Sequence, residues 1–391
     1  MAKGRRRVAT SPARASHHRR TALALQGGGA LGAYQAGVYQ ALDEAGYRLD
    51  WLSGVSIGAI NAAIIAGNAP AHRLERLEEF WALVSSNSGW IEPPIPEPMR
   101  EAFAEFSSTL TTLVGRPGFF EPRVPPPWLW PPKFAMVTSY YDTTPLKETL
   151  ERLIDFDRLN DDSVRLSVGA VEVATGNYTF FCNYPTQRAD SRHVRMAAEH
   201  IMASGALPPG FPPVEIDGTW YWDGGIVSNT PLNHLLDETP RVGTLAFQVD
   251  LFSSRGPLPA TLADVMERQK DITYSSRTRM LTNMAAQLHE LRGAVADVLA
   301  MLPATMNGHR SVDRLRRFTA TCVYDIVHLI YRSKYDESSS KDYEFSRASM
   351  QDRWVAGHED MRAALAKPQW LAKPRPGDMV RIFDPLKPGS R

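Results

Sequence analysis

Cysteine is scarce in this chain. The 391 residues contain two, Cys182 and Cys322, and neither belongs to a CxxC pair. This excludes a disulfide framework and a zinc site built on thiolates, and it fits a reducing cytoplasm. No run of 18 apolar residues occurs, so any contact with a membrane is expected to be peripheral. Acid is missing from the start of the chain. The first carboxylate is Asp43, whereas Lys3, Arg5, Arg6, Arg7, Arg14, Arg19 and Arg20 crowd the first twenty residues. This arm has no apolar stretch of signal-peptide length. Residues 1–20 are read as a disordered basic tail, able to add attraction to anionic headgroups. Over the whole chain 44 Lys and Arg face 43 Asp and Glu, so there is no basic excess for nucleic acid.

What is present is a substantial core. Hydrophobic residues make up 43% of the chain and charged residues 22%, as in a globular protein of one large domain plus an appended region. Thr21–Leu25 reads as a buried strand broken by Gly27-Gly28-Gly29, and a helix follows from about Ala30 to Ala45. Leu49–Ser53 reads as a second strand, running through Gly54-Val55-Ser56-Ile57-Gly58 into an Ala/Ile-rich helix. Two strand–glycine–helix units in succession imply a mostly parallel α/β sheet. Residues 87–133 hold eleven prolines and seven aromatics, among them Trp90, Phe119, Phe120, Trp128 and Trp130. They are expected to form no regular element and to act as a lid or insert. Strands are expected over Val164–Val173 and Tyr178–Cys182, with Thr244–Val249 as the last strand of the catalytic sheet, and further along Val323–Tyr331 reads as a strand candidate and Lys341–Ala366 as a final helix. Beyond it, proline is absent from Leu262 to Leu302, where Leu281, Met284, Leu288, Leu291, Val295, Val298 and Leu302 form a heptad seam. That seam is expected to pack on its own domain, with pairing to a second copy as the alternative.

Three glycine-bearing motifs carry the chemistry. Gly27-x-Gly29-x-x-Gly32 satisfies a dinucleotide-binding spacing, with Asp50 near the place of a ribose acid. The same loop also suits an oxyanion hole, in which the amides of Gly27, Gly28 and Gly29, or that of Ala30, point at developing negative charge. Gly54-x-Ser56-x-Gly58, between a strand and a helix, is the nucleophile-elbow pattern. An exposed serine needs a base. His234, His289 and His328 follow in the order of a Ser–acid–His triad, but none lies in a marked loop. Asp223-Gly224-Gly225 offers a carboxylate whose glycines permit close approach to another loop, and an aspartate in reach accepts a serine proton directly.

In this order the three motifs resemble the patatin-like phospholipase family. The resemblance spans roughly residues 21–250 and extends to Ala203-Ser204-Gly205-Ala206-Leu207-Pro208 and Phe211-Pro212-Pro213, while residues 251–391 resemble an appended region of some bacterial members. It implies a three-layer α/β/α sandwich with a mostly parallel sheet, plus a mainly helical C-terminal region. It also implies a lipase or phospholipase A-type serine acyl hydrolase. Ser56 would be the nucleophile, Asp223 the proton acceptor and Gly27, Gly28 and Gly29 the oxyanion donors, with Gly32, Gly54, Gly58, Gly224 and Gly225 supporting the motifs. No metal or organic cofactor is implied, and the partner is a lipid ester. Leu31 departs from the family, many of whose members carry Arg or Lys there. Weak discrimination for anionic headgroups is therefore expected, and Leu31→Arg is expected to shift preference toward phospholipid. A dinucleotide-dependent oxidoreductase and a catalytically inactive lipid-binding protein of the same fold are the competing readings.

Overall fold

The computed structural model describes residues 17–86, 100–129, 137–161, 163–319, 322–332 and 341–386. Its strands are β1 (Arg20–Leu25), β2 (Trp51–Val55), β3 (Glu121–Pro122), β4 (Tyr141–Asp142), β5 (Arg165–Glu172) and β6 (Tyr178–Cys182). They continue as β7 (Ser191–His193), β8 (Val214–Ile216), β9 (Thr219–Asp223), β10 (Thr244–Asp250), β11 (Tyr324–Ile330) and β12 (Val380–Phe383). The helices are α1 (Ala33–Glu44), α2 (Ile57–Ala66), α3 (Arg73–Val84), α4 (Arg100–Val114), α5 (Thr144–Leu153) and α6 (Phe156–Leu159). After them come α7 (Ala198–Ser204), α8 (Leu232–Asp237), α9 (Leu262–Ala300), α10 (Arg310–Phe318) and α11 (Arg347–Leu365).

The central sheet runs β12-β11-β10-β1-β2-β5-β6-β7, with β9 also on β5 and β8 on β9. From β12 to β5 every neighbouring pair is parallel. Alternation along β1 divides the layers, because successive side chains leave opposite faces of a strand. Leu23 and Leu25 join the large core under α1, α2 and α3, whereas Ala22 and Ala24 pack with Trp51, Phe180 and Leu235 of α8 on the other face. This is the expected α/β/α sandwich, with a largely helical C-terminal region.

Four expectations give way. Residues 17–20 are tied to the sheet: Arg20 opens β1, and both His17 and His18 bond Asp325 at 3.0 and 2.6 Å. The rest of the basic arm lies outside the described residues. Within 87–133 the helix α4 forms after all. The prolines flank Met99–Arg116 and leave that stretch free of them, so apolar residues can recur at helical spacing. Trp90 and Trp130 lie outside the described residues. β10 is not the last strand either, since β11 and β12 extend the sheet beyond it.

The fourth concerns α9. Among its described side chains Ser275, Thr282, Ala285, His289, Arg292 and Gly293 are buried, whereas Met284, Leu291 and Val298 of the seam are exposed. Small residues decide this. Gly293 lets Met379 lie where a Cβ would stand, and Arg292 reaches Asp237 of α8 at 2.6 Å. At the other face of the sheet α1 and α11 touch backbone to backbone. A Cβ on Gly37 would fall 1.9 Å from the Trp354 carbonyl, and one on Gly357 2.0 Å from that of Tyr34. Tyr34 also bonds Asp360 at 2.9 Å and Trp354 bonds Gln40 at 2.7 Å.

Candidate active site

The three glycine-bearing motifs meet at the C-terminal ends of the parallel strands, where open α/β sheets place their sites. Ser56 is the single residue between β2 and α2, with φ 55° and ψ −125°. Positive φ is rare for a residue with a side chain, and strain of this kind persists where the surroundings over-determine it. Here they do. A Cβ at Gly54 would lie 2.3 Å from the Gly58 carbonyl, and one at Gly58 2.3 Å from that of Leu25, so the turn closes only with glycine at both. The Ser56 amide donates to the carbonyl and the hydroxyl of Ser204, both at 3.1 Å.

Asp223 ends β9, and its amide donates to the Ala206 carbonyl at 3.0 Å. The segment Ser204–Ala206 therefore holds both halves of the pair, which gives the Ala-Ser-Gly-Ala stretch a physical role. The Asp223 carboxylate is buried and accepts from the Gly225 amide at 2.7 Å and from the Ser56 hydroxyl. Burial pushes it up to about 7, against the pull of those two bonds. A carboxylate with this value is balanced to take up and release a proton near neutrality.

The glycine-rich loop follows β1 as a turn of 3-10 helix, Gly29–Gly32. The Gly27 amide donates to the Asn229 carbonyl at 3.2 Å, and Asn229 Nδ2 returns a bond to the Gly27 carbonyl at 2.9 Å. The Gly27 N–H is thus spent on holding the loop, which corrects its assignment as an oxyanion donor. Among the described residues the amides of Gly28 and Gly29 donate to no group, and both residues line the cleft that holds Ser56 and Asp223. Asn229 was not legible in the sequence, where it belongs to none of the three motifs. Its Oδ1 sits against both Gly27 and Gly225, so it clamps one motif to the other.

The remaining candidates lie elsewhere. Asp50 precedes β2, at the end of the sheet opposite the glycine-rich loop, and accepts from the Thr21 amide at 2.7 Å. It cannot reach a ribose on that loop. None of the three histidines lines the cleft. His234 stacks on Phe180 and bonds Tyr184, and burial and Arg188 push it down to about 3. His289 lies in the α9 contact with β11, pushed down to about 4 by burial and Arg292. His328 bonds Asp250 at 2.5 Å. Leu31 is fully buried in the core rather than facing the cleft, so Leu31→Arg would bury a cation and not redirect a headgroup. The cluster His17–His18–Asp325 sits at the N-terminal end of the strands, where Arg381 already takes both oxygens of Asp325 at 2.6 Å.

Residues 23–236 match the family model described as patatin-like phospholipase, and residues 272–377 match a second, described as patatin phospholipase. The lysophospholipase nte1 of Aspergillus terreus is 51% identical over 51 residues, which are 13% of this chain and 3% of that protein. The chain thus spans a small part of the length of this relative. The structure is also similar to VipD from Legionella pneumophila, at 16% identity and TM-score 0.35, over 90% of this chain and 67% of that one. Human GIVD cytosolic phospholipase A2 matches 59% of this chain and 42% of its own at 12% identity and TM-score 0.31. With its first family match covering more than half of its length, the chain belongs to the patatin-like phospholipase family.

Proposed function

We propose that the protein is a serine acyl hydrolase of lipid esters, with Ser56 as nucleophile and Asp223 as the only general base. One observation carries this reading. The Ser56 hydroxyl bonds a buried carboxylate held near 7, and the unspent amides of Gly28 and Gly29 line the same cleft. Ser56 Oγ attacks the ester carbonyl while Asp223 takes its proton, and the oxyanion settles on the two amides. The proton then passes from Asp223 to the departing alcohol as the ester bond breaks. Water attacks the acyl-serine, Asp223 takes its proton, and the serine is restored as the fatty acid leaves. Residues 21–250 form the catalytic domain in this proposal and residues 251–391 the C-terminal region.

Apolar walls favour a lipid over a polar ester. Phe119, Phe120, Leu207 and Phe211 line the cleft beside Ser56. Phe106, Leu113 and Val114 of α4, with Val124 and Trp128 after it, are exposed in the same stretch of chain as Phe119 and Phe120, and such residues suit peripheral contact with a lipid interface. No helix among the described residues is long and apolar enough to cross a membrane. The test is fatty-acid release from a panel of lysophospholipids, phospholipids and neutral glycerides by wild type and Ser56→Ala. Release that disappears with Ser56 supports the reading. A folded wild type that hydrolyses no ester, or an equally active Ser56→Ala, overturns it.

A further inference from the structure

The residues that complete the Ser56 cleft come from outside the segment that carries the motifs. Gly27–Gly29, Ser56, Phe119 and Phe211 line it from that segment, and Phe252, Tyr274, Asp342, Tyr343 and Phe345 line it from the C-terminal region. The second group includes a short strap, Lys341–Phe345, whose first three residues make a 3-10 turn. The strap lies directly on the glycine-rich loop: a Cβ at Gly29 would stand 2.2 Å from the Asp342 carbonyl. Phe345 is buried and meets Phe119 at 5.8 Å, which makes one aromatic wall of the two halves.

Charges fix the strap in place. Lys341 Nζ donates to Glu267 and Asp271 of α9, both at 2.8 Å, and Lys270 of the same turn donates to Asp342 at 2.6 Å. From the other side Arg353 of α11 donates to the carbonyls of Lys341 and Glu344, at 3.0 and 2.8 Å. Lys341 and Arg353 are both buried. Buried charges are retained at a cost in desolvation, and their best-attested use is to fix one arrangement among several. Here the arrangement they fix is the distance of Tyr343 and Phe345 from Ser56.

We infer that the strap Lys341–Phe345 is the acyl-chain specificity wall of this site, with Tyr343 and Phe345 setting the chain length accepted. The inference rests on Ser56 being the nucleophile. With the carbonyl held between Ser56 and the Gly28 and Gly29 amides, the acyl chain runs along the apolar surface that remains, of which Tyr343 and Phe345 are part. Gain or loss of wall contact for one methylene changes kcat/KM about fourfold. Truncating a ring thus opens room worth several carbons.

The experiment compares full-length wild type, Tyr343→Ala and Phe345→Leu on p-nitrophenyl esters of four to sixteen carbons. The expected result is a rise of roughly tenfold or more in the long-to-short ratio of kcat/KM in both variants. A ratio within about twofold of wild type in both overturns the inference. Should Phe345→Leu fail to fold, Tyr343→Ala, on the half-buried ring, decides alone. A second arm measures displacement of a fluorescent fatty acid by unlabelled acids of graded length, in the Ser56→Ala background. If wild type proves inactive on every ester, the nucleophile reading fails. The strap is then judged by whether the two substitutions still move the length order toward longer acids, and an unmoved order overturns it.

Discussion

Asp223→Asn is expected to abolish activity and, at the same time, stabilise the fold above neutral pH. The Asp223 carboxyl rises from 3.8 in the unfolded chain to about 7 in the folded one. The folded state therefore holds the proton more tightly, and stability falls as pH climbs from about 4 to about 7. Each unit is worth about 1.4 kcal/mol, so the ionised carboxylate costs on the order of 4 kcal/mol above that window. Asparagine carries no such slope, and its carbonyl oxygen still accepts from the Gly225 amide. Between pH 5 and pH 8 the stability of Asp223→Asn relative to wild type should grow by roughly 2.5 kcal/mol. Urea unfolding at both pH values, followed by tryptophan fluorescence, measures this difference, and other carboxylates cancel between the two proteins. The same group predicts an acid limb in wild-type kcat/KM centred on about 7, because only the ionised form accepts the serine proton. A stability difference equal at pH 5 and pH 8 would refute the reasoning, for Asp223 would then not be carrying the cost of ionisation.

Four further outcomes follow from the same geometry. Ser56→Ala and Asp223→Asn should each lower turnover by roughly 10³-fold, with the double variant hardly worse. His234→Gln, His289→Gln and His328→Gln should stay within about tenfold, or 1.4 kcal/mol of barrier, as steady-state kinetics on one soluble ester will tell. Gly357→Ala should destabilise by about 1–3 kcal/mol despite alanine's better helix propensity, because the new methyl meets the Tyr34 carbonyl. Thermal melting measures it, and an unchanged or raised midpoint would deny the close α1–α11 crossing. Leu31→Arg should lose several kcal/mol of stability through an unpaired buried cation, read from urea midpoints. An unaltered midpoint with a new preference for anionic lipid would restore the headgroup reading of that position.

The parts legible in the sequence are those whose chemistry fixes local geometry. A serine held at positive φ between crowded strands requires the glycines at 54 and 58, and so leaves a pattern. Asp-Gly-Gly does the same at the end of β9. What was not legible depends on distant neighbours. The Gly27 amide is taken by Asn229, some two hundred residues away, and nothing near either residue announces that bond. The strap at 341–345 lies nearly three hundred residues from Ser56, and the sequence reads it as the start of the last helix, which begins only at Arg347. Along α9 the heptad pattern marked the most apolar stripe, but small residues and one buried arginine chose the face that packs. In 87–133 the density of proline masked the clean helical stretch between its two clusters.

In the proposed mechanism Ser56 forms the acyl intermediate with Asp223 as its only base. The most direct measurement is intact-mass analysis with peptide mapping after treatment with a fluorophosphonate, on wild type, Asp223→Asn and His328→Gln at pH 8. One adduct is expected on Ser56 in wild type, with a similar rate in His328→Gln and a rate lower by roughly 10²-fold or more in Asp223→Asn. An adduct on another residue, or labelling as fast without Asp223 as with it, would rule out this mechanism.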